Sequence, residues 1–298
     1  MTKLRFPAIL PLAGILAFAC SSTAAPPKAS GLLSWRGPDQ TGALPGKGYP
    51  DTWGGPEGEN HLWTHKVKGG GTPVIANGKL YAFGYYDNPK DLSDVQEALI
   101  CLDPQTGELE WEYRFSDFIS DVVYNRYAVG SPIVDAETGN VYLQSSNGRL
   151  MAFTADGKQL WEHSLVEKLA RLTFPNGRTG SLGLQGPVVI VHCVTANWGT
   201  TGPARDRLYA FDKITGELVW YSTPGTVPDD SSFSMPVYAT IDGHRVGYTG
   251  HGCGNISSVD MRTGKPLWRF QFALSLIHIS EPTRLLSIGG GGVGVEKK

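Results

Sequence analysis

The sequence has little charge and no excess of one sign. It carries 26 Lys+Arg against 28 Asp+Glu, a formal net charge of −2, and residues 21–273 alone come to −5. A nucleic-acid partner calls for a basic stripe, so that class is excluded. The one sustained apolar run, residues 6–19, is too short to cross a bilayer as a helix. Cysteine is scarce too: beyond Cys20 there are only Cys101, Cys193 and Cys253. That odd number allows either one disulfide and one buried thiol or three buried thiols. Metal ligands lack grouping. His192 and Cys193 are adjacent on a strand, so they point to opposite faces and cannot share an ion. His251 and Cys253 could face one way, but two ligands without a third make a weak site. Asp229, Asp230, Ser231 and Ser232 offer oxygens without the spacing Ca²⁺ demands and read as a solvated loop. No metal is therefore expected, and no catalytic set is identified.

What the chain does have is repetition. Residues 98–111 read ALICLDPQTGELEW, 149–161 RLMAFTADGKQLW, 207–220 RLYAFDKITGELVW and 255–268 NISSVDMRTGKPLW. In each, a Gly precedes a Trp by four residues: Gly107 and Trp111, Gly157 and Trp161, Gly216 and Trp220, Gly264 and Trp268. Successive Trp are 50, 59 and 48 residues apart, a period that marks a repeat architecture. Each copy reads as a β-hairpin, an apolar strand and a polar turn closing on Gly before a strand that bears the Trp. A second strand pair precedes each hairpin, led by Pro73, Pro132, Pro187 or Pro236. Asn77-Gly78, Thr138-Gly139 and Asp242-Gly243 supply turns in three of these. The third has no tight-turn signal and is expected to wander through 195–206. Two pairs make a four-stranded antiparallel unit that cannot bury both faces alone, so the units stack radially as propeller blades. The Trp on each outermost strand is expected to cover the seam to the next blade.

The pattern A-x-D-x-x-T-G-x-x-x-W resembles the repeat of the pyrroloquinoline-quinone-type (PQQ-like, WD40-like) β-propellers. That group takes in both the quinoprotein alcohol dehydrogenases and the lipoprotein of the outer-membrane β-barrel assembly machine (BamB-like). The likeness covers roughly 60–272 and fits best at Ala210 and Asp212; Cys101 and Ser258 replace the Ala elsewhere, and Thr154 replaces the Asp. The repeat motif is structural and carries no activity with it.

Taken in order, residues 1–20 read as a secretory signal peptide, with Lys3 and Arg5 before the apolar run and a small-x-small site at Ala17–Ala19. Cys20-Ser21-Ser22 resembles a lipoprotein start, which would lipidate Cys20. Ala17 and Phe18 depart from the usual lipobox, so cleavage after Ala19 stays open. Residues 21–59 are a linker and an irregular Gly/Pro-rich segment whose Trp35 and Trp53 are expected to pack on the rim. His61–Val67 reads as an orphan fourth strand, Trp63 completing the final blade where the chain ends meet. Asp87–Glu97 reads as an acidic insertion in blade one. Loops 116–129, 166–182 and 198–206 are the expected recognition surfaces. Residues 274–298, opening LSLIHISEPTR, resemble a translated sequencing adapter and are expected to be a non-native tail. The partial propeller is then 60–273, with about four blades present of an expected seven or eight.

The resemblance implies an exported, non-catalytic scaffold in the periplasm or at the outer membrane. It would hold envelope proteins and bind no cofactor. Its alternative is a fragment of a PQQ- and Ca²⁺-dependent dehydrogenase, although the vicinal Cys-Cys pair of that family is absent from this sequence. A polysaccharide-binding envelope protein is the third reading.

Overall fold

The computed structural model describes residues 28–37, 41–44, 46–88, 91–116, 127–171, 179–195, 200–228, 232 and 234–272. The expected signal peptide with Cys20, Asp229–Ser231, residues 117–126, 172–178 and 198–199 of the three expected recognition loops and the tail after Phe272 lie outside these residues.

The architecture is all-β: four antiparallel sheets in chain order, the blades of a partial propeller. Blade one holds β1 (Gly31–Leu32), β2 (Val74–Ala76), β3 (Lys79–Asn88), β4 (Asp91–Leu102) and β5 (Leu109–Phe115). Blade two holds β6 (Ile133–Val134), β7 (Val141–Gln144), β8 (Arg149–Phe153) and β9 (Gln159–Ser164), followed by the one-turn α1 (Leu165–Leu169). Blade three is β10 (Gly183–Gln185), β11 (Val188–Thr195), β12 (Arg205–Asp212) and β13 (Leu218–Ser222). Blade four is β14 (Val237–Ile241), β15 (His244–Gly250), β16 (Asn255–Asp260) and β17 (Pro266–Gln271).

Strand alternation turns each blade into an adhesive with two sides. From β11, Val189, Val191 and Cys193 pack back on Tyr142, Leu150 and Ala152 of blade two. Val188 and Ile190 point forward, onto Val259 and Met261 of blade four. The first two blades meet in the same way, Leu99 and Cys101 against Leu143 and Met151.

The tryptophans close these seams by one repeated device. In every blade the Trp lies opposite a small residue on the neighbouring strand: Trp111 by Cys101, Trp161 by Ala152, Trp220 by Ala210 and Trp268 by Ser258. A register shift follows directly after each small residue, a bulge that aims the indole outward along the blade. The ring then lies on the turn glycine of the next blade. A Cβ built on Gly157 would meet Trp111 at 2.7 Å, one on Gly216 would meet Trp161 at 2.7 Å, and one on Gly264 would meet Trp220 at 2.6 Å. These glycines also hold φ of 73 to 82°, so only Gly satisfies both the turn and the ring. Each indole N–H donates to a carbonyl of the same turn: Trp111 to Ala155 at 3.1 Å, Trp161 to Lys213 at 3.2 Å and Trp220 to Met261 at 3.2 Å. Trp63 does the same on blade one, lying on Gly107 and donating to Pro104 at 3.1 Å.

Several local expectations need correction. Residues 61–67 form no strand, only a bridge from Lys68 to Tyr85 beside them; Trp63 takes its seat through its ring alone. The acidic insertion in blade one extends a hairpin, β3 and β4 pairing from Leu80↔Leu102 out to Asn88↔Asp91. The third blade begins earlier than Pro187, which stands in a tight turn after Gly186; β10 is only three residues long and opens on Gly183. Its central strands pair continuously from Val188↔Asp212 to Thr195↔Arg205, so residues 195, 205 and 206 belong to the sheet. Trp53 is 72% exposed and packs on no rim. Residues 28–37 instead add β1 to the edge of blade one and reach blade two through Ala29 N–H to the Ala136 carbonyl at 2.6 Å.

Trp220 is 8% exposed and Trp268, with no following turn on it among the described residues, is 48% exposed. Trp220→Ala should therefore lower stability by about 3–5 kcal/mol. Trp268→Ala should cost about 1 kcal/mol, the worth of its ring contact with Tyr248. Urea unfolding of the two variants measures the contrast.

Candidate functional site

The polar chemistry of the blades is concentrated where the apolar seams end. Counting four residues upstream of the small residue opposite each Trp leads from Cys101 to Glu97 and from Ala210 to Asp206. The same count in blades two and four reaches Gly148 and Gly254. Glu97 and Asp206 thus share one repeat position. Even spacing keeps them on the forward face of their strands, and both are buried.

Each carboxylate reaches into the turn between the second and third strands of the next blade. Glu97 Oε2 accepts from Ser146 N–H at 3.2 Å, and its Oε1 from Ser146 Oγ at 2.5 Å and Ala128 N–H at 2.8 Å. Asp206 Oδ2 accepts from Gly252 N–H at 3.2 Å and from the Ser232 hydroxyl. Ser146 and Gly252 are themselves equivalent, six residues before Ala152 and Ser258. A carboxylate from one blade therefore clasps an amide of the next across the first and third seams. The second seam is held otherwise. There the buried Arg171 lies against Gly148 and donates to the Ser146 carbonyl at 3.2 Å, and Lys213 bridges to Asp135 at 2.9 Å.

Around Asp206 two imidazoles join the clasp. His192, on β11, places Nε2 2.5 Å from Asp206 Oδ1 and donates from Nδ1 to the Ser234 carbonyl at 2.7 Å. His251, just past β15, holds Nε2 2.6 Å from Ser257 Oγ. Its Nδ1 is 3.0 Å from Asp206 Oδ2, near enough for an ion pair yet off the line of a hydrogen bond, and it has no other partner. The rings meet edge to face, centroids 5.3 Å apart. All three side chains are sealed from solvent. Burial works against charge on Asp206, but His192 and His251 beside it hold the carboxyl well below its usual range. Burial also opposes protonation of His192, and Asp206 overcomes it, so this pKa is raised. Burial pushes the His251 pKa down. The centre is thus a buried carboxylate with two imidazoles turned toward it.

Residues 55–194 match the family model described as outer membrane protein assembly factor BamB. The chain has the fold of a PQQ-like β-propeller. In structure the propeller is similar to a europium-containing methanol dehydrogenase, with TM-score 0.50 and 16% identity over 70% of this chain and 43% of that one. It is also similar to the quinohemoprotein alcohol dehydrogenase ADHIIG from Pseudomonas putida HK5, with TM-score 0.46, 16% identity, and 70% and 43% coverage. A third likeness is to BamB from Moraxella catarrhalis, with TM-score 0.37, 17% identity, and 64% and 55% coverage. The propeller therefore spans less than half the length of the two dehydrogenases. No curated protein matches it.

The repeat residues Trp63, Gly107, Trp111, Gly157, Trp161, Gly216, Trp220 and Gly264 lie at the seams, and Trp268 stands at the open flank of blade four. The three cysteines are free, buried and scattered. Burial pushes the Cys101 and Cys193 thiols up to about 12. His192 and Cys193 do point apart, one to each seam. His251 does not side with Cys253, whose sulfur accepts from Asn255 Nδ2 at 3.0 Å; its partner is Asp206, three strands away in sequence. Instead His192, Asp206 and His251, which sequence spacing does not group, bring ligand atoms within 4.8 Å of one another. The detectable signal was the acidic residue recurring at one repeat position.

Two measurements probe these clasps. Glu97→Ala strands the Ser146 amide, while Ala128 N–H keeps Ser146 Oγ at 3.1 Å, and should cost about 1–3 kcal/mol, read from urea unfolding. With a chelator present, the thermal midpoint should peak near neutrality. The raised His192 stabilises fully below the ordinary value of 6.5 and loses its contribution as pH climbs through its folded value. His251 and Asp206, both lowered, stabilise above their ordinary values of 6.5 and 3.8 and lose this as pH falls through their folded ones. His192→Gln should flatten the alkaline decline while leaving the acid limb.

Proposed function

We propose that this propeller is a non-catalytic, exported scaffold of the bacterial cell envelope that binds other proteins during outer-membrane β-barrel assembly. The observation that carries the reading is the match of residues 55–194 to the BamB family model. The described polar residues support it, since Glu97, Asp206, Arg171 and Lys213 are each committed to holding blades together. Partners would meet the loops between strands, and a lipid on Cys20 would keep the propeller at a membrane. The likeness to the europium-containing methanol dehydrogenase bears on fold alone.

The test is photo-crosslinking from loop positions of the full chain, added to liposomes in which an outer-membrane β-barrel protein is being assembled. Adducts with the barrel or its assembly subunit, and faster assembly, are the expected result. Absence of both, or a quinone absorbance with dye-linked alcohol oxidation after incubation with PQQ and Ca²⁺, overturns the scaffold reading. Partition of wild type into detergent, lost in Cys20→Ala, is the expected sign of the anchor.

A further inference from the structure

The first seam serves as an internal control for the third. At both, a carboxylate from the same repeat position accepts an N–H from the same turn of the next blade. In the first seam the job is done with Phe83 and Ser145 at the places that His192 and His251 occupy in the third: Phe83 pairs with Leu99 as His192 pairs with Leu208, and Ser145 immediately precedes the donor Ser146 as His251 precedes Gly252. Clasping two blades therefore needs no imidazole. Two have nevertheless been brought, fully buried, onto one carboxylate, where an uncompensated polar ring carries a desolvation penalty.

Their orientation matches what an ion would require. Nε2 of His192, Nδ1 of His251 and the Asp206 carboxylate converge within 4.8 Å. The outward nitrogens are already held, His192 Nδ1 by the Ser234 carbonyl and His251 Nε2 by the Ser257 hydroxyl. That is the outer support by which ligating histidines are oriented. His251 Nδ1 lacks an aligned hydrogen-bond partner. Zinc bonds of about 2.0–2.2 Å place tetrahedral ligand atoms roughly 3.4 Å from one another. The present 2.5 and 3.0 Å contacts reach this by a small outward shift of each ring.

We propose that His192, Asp206 and His251 bind a divalent transition-metal ion, Zn²⁺ being suited to two imidazoles and a carboxylate, and that this ion clips blade three to blade four. The ion takes the place of the proton between His192 Nε2 and Asp206 Oδ1, which leaves to solvent. With the side chains sealed from water, the role is structural.

The test uses the tag-free full chain, equilibrated with Zn²⁺ and then desalted, with elemental analysis and the visible spectrum of the Co²⁺ form as readouts. The expected result is one ion per chain, a tetrahedral Co²⁺ band, and a thermal midpoint raised by Zn²⁺. His192→Phe with His251→Ser, the residues the first seam uses, should abolish all three while circular dichroism stays that of a β protein. Should that pair fail to fold, His251→Gln is the near-isosteric replacement and should likewise lose the ion. Ser257→Ala should weaken Zn²⁺ about 10-fold. A wild-type chain that takes up no ion, or variants that keep it, would overturn the proposal and leave an ion pair only.

Discussion

An indole lying on a bare glycine of the neighbouring blade is the contact on which this structure depends. Three elements of the repeat exist to permit it. The small residue across from the Trp and the bulge beside it make room and set direction. The turn glycine, held at positive φ, lets the ring approach its backbone. The Asp that opens the turn fixes the glycine by accepting two amides, as Asp212 does from Ile214 and Thr215 at 2.9 and 2.8 Å. Because the ring and its N–H both serve one turn, position and angle between blades are set together.

The apolar seams would slide if they were hydrophobic alone, since dispersion and burial have no direction. Buried polar groups supply register. The Glu97 and Asp206 clasps and the Lys213–Asp135 bridge each tie one blade to a specific amide or carboxylate of the next. Such groups add specificity more surely than stability, because desolvation offsets much of their attraction.

The blade pattern was legible because it is local: hairpin turns such as Asn77-Gly78 and Asp242-Gly243 and the Gly–Trp spacing depend on neighbours in sequence. What escaped notice depends on register between distant segments. β10 is three residues long and offers no alternation to read. Trp63 needs no strand around it to find its glycine. His192, Asp206 and His251 converge only because β11 and β12 pair in a register that leaves residues 192 and 206 on one face, while blade four presents its turn there. Comparing copies of the repeat, rather than scanning for ligand spacing, would have exposed the acid.

Acid and glycine alternate at that position, Glu97, Gly148, Asp206, Gly254, along the four blades. Odd blades reach forward with a carboxylate, and even blades offer the bare turn that receives it. Neighbouring blades are consequently not interchangeable. Swapping a single one would leave the Ser146 or Gly252 amide without the carboxylate that now accepts from it. The smallest module that could be cut out or duplicated without disturbing its surroundings is a pair.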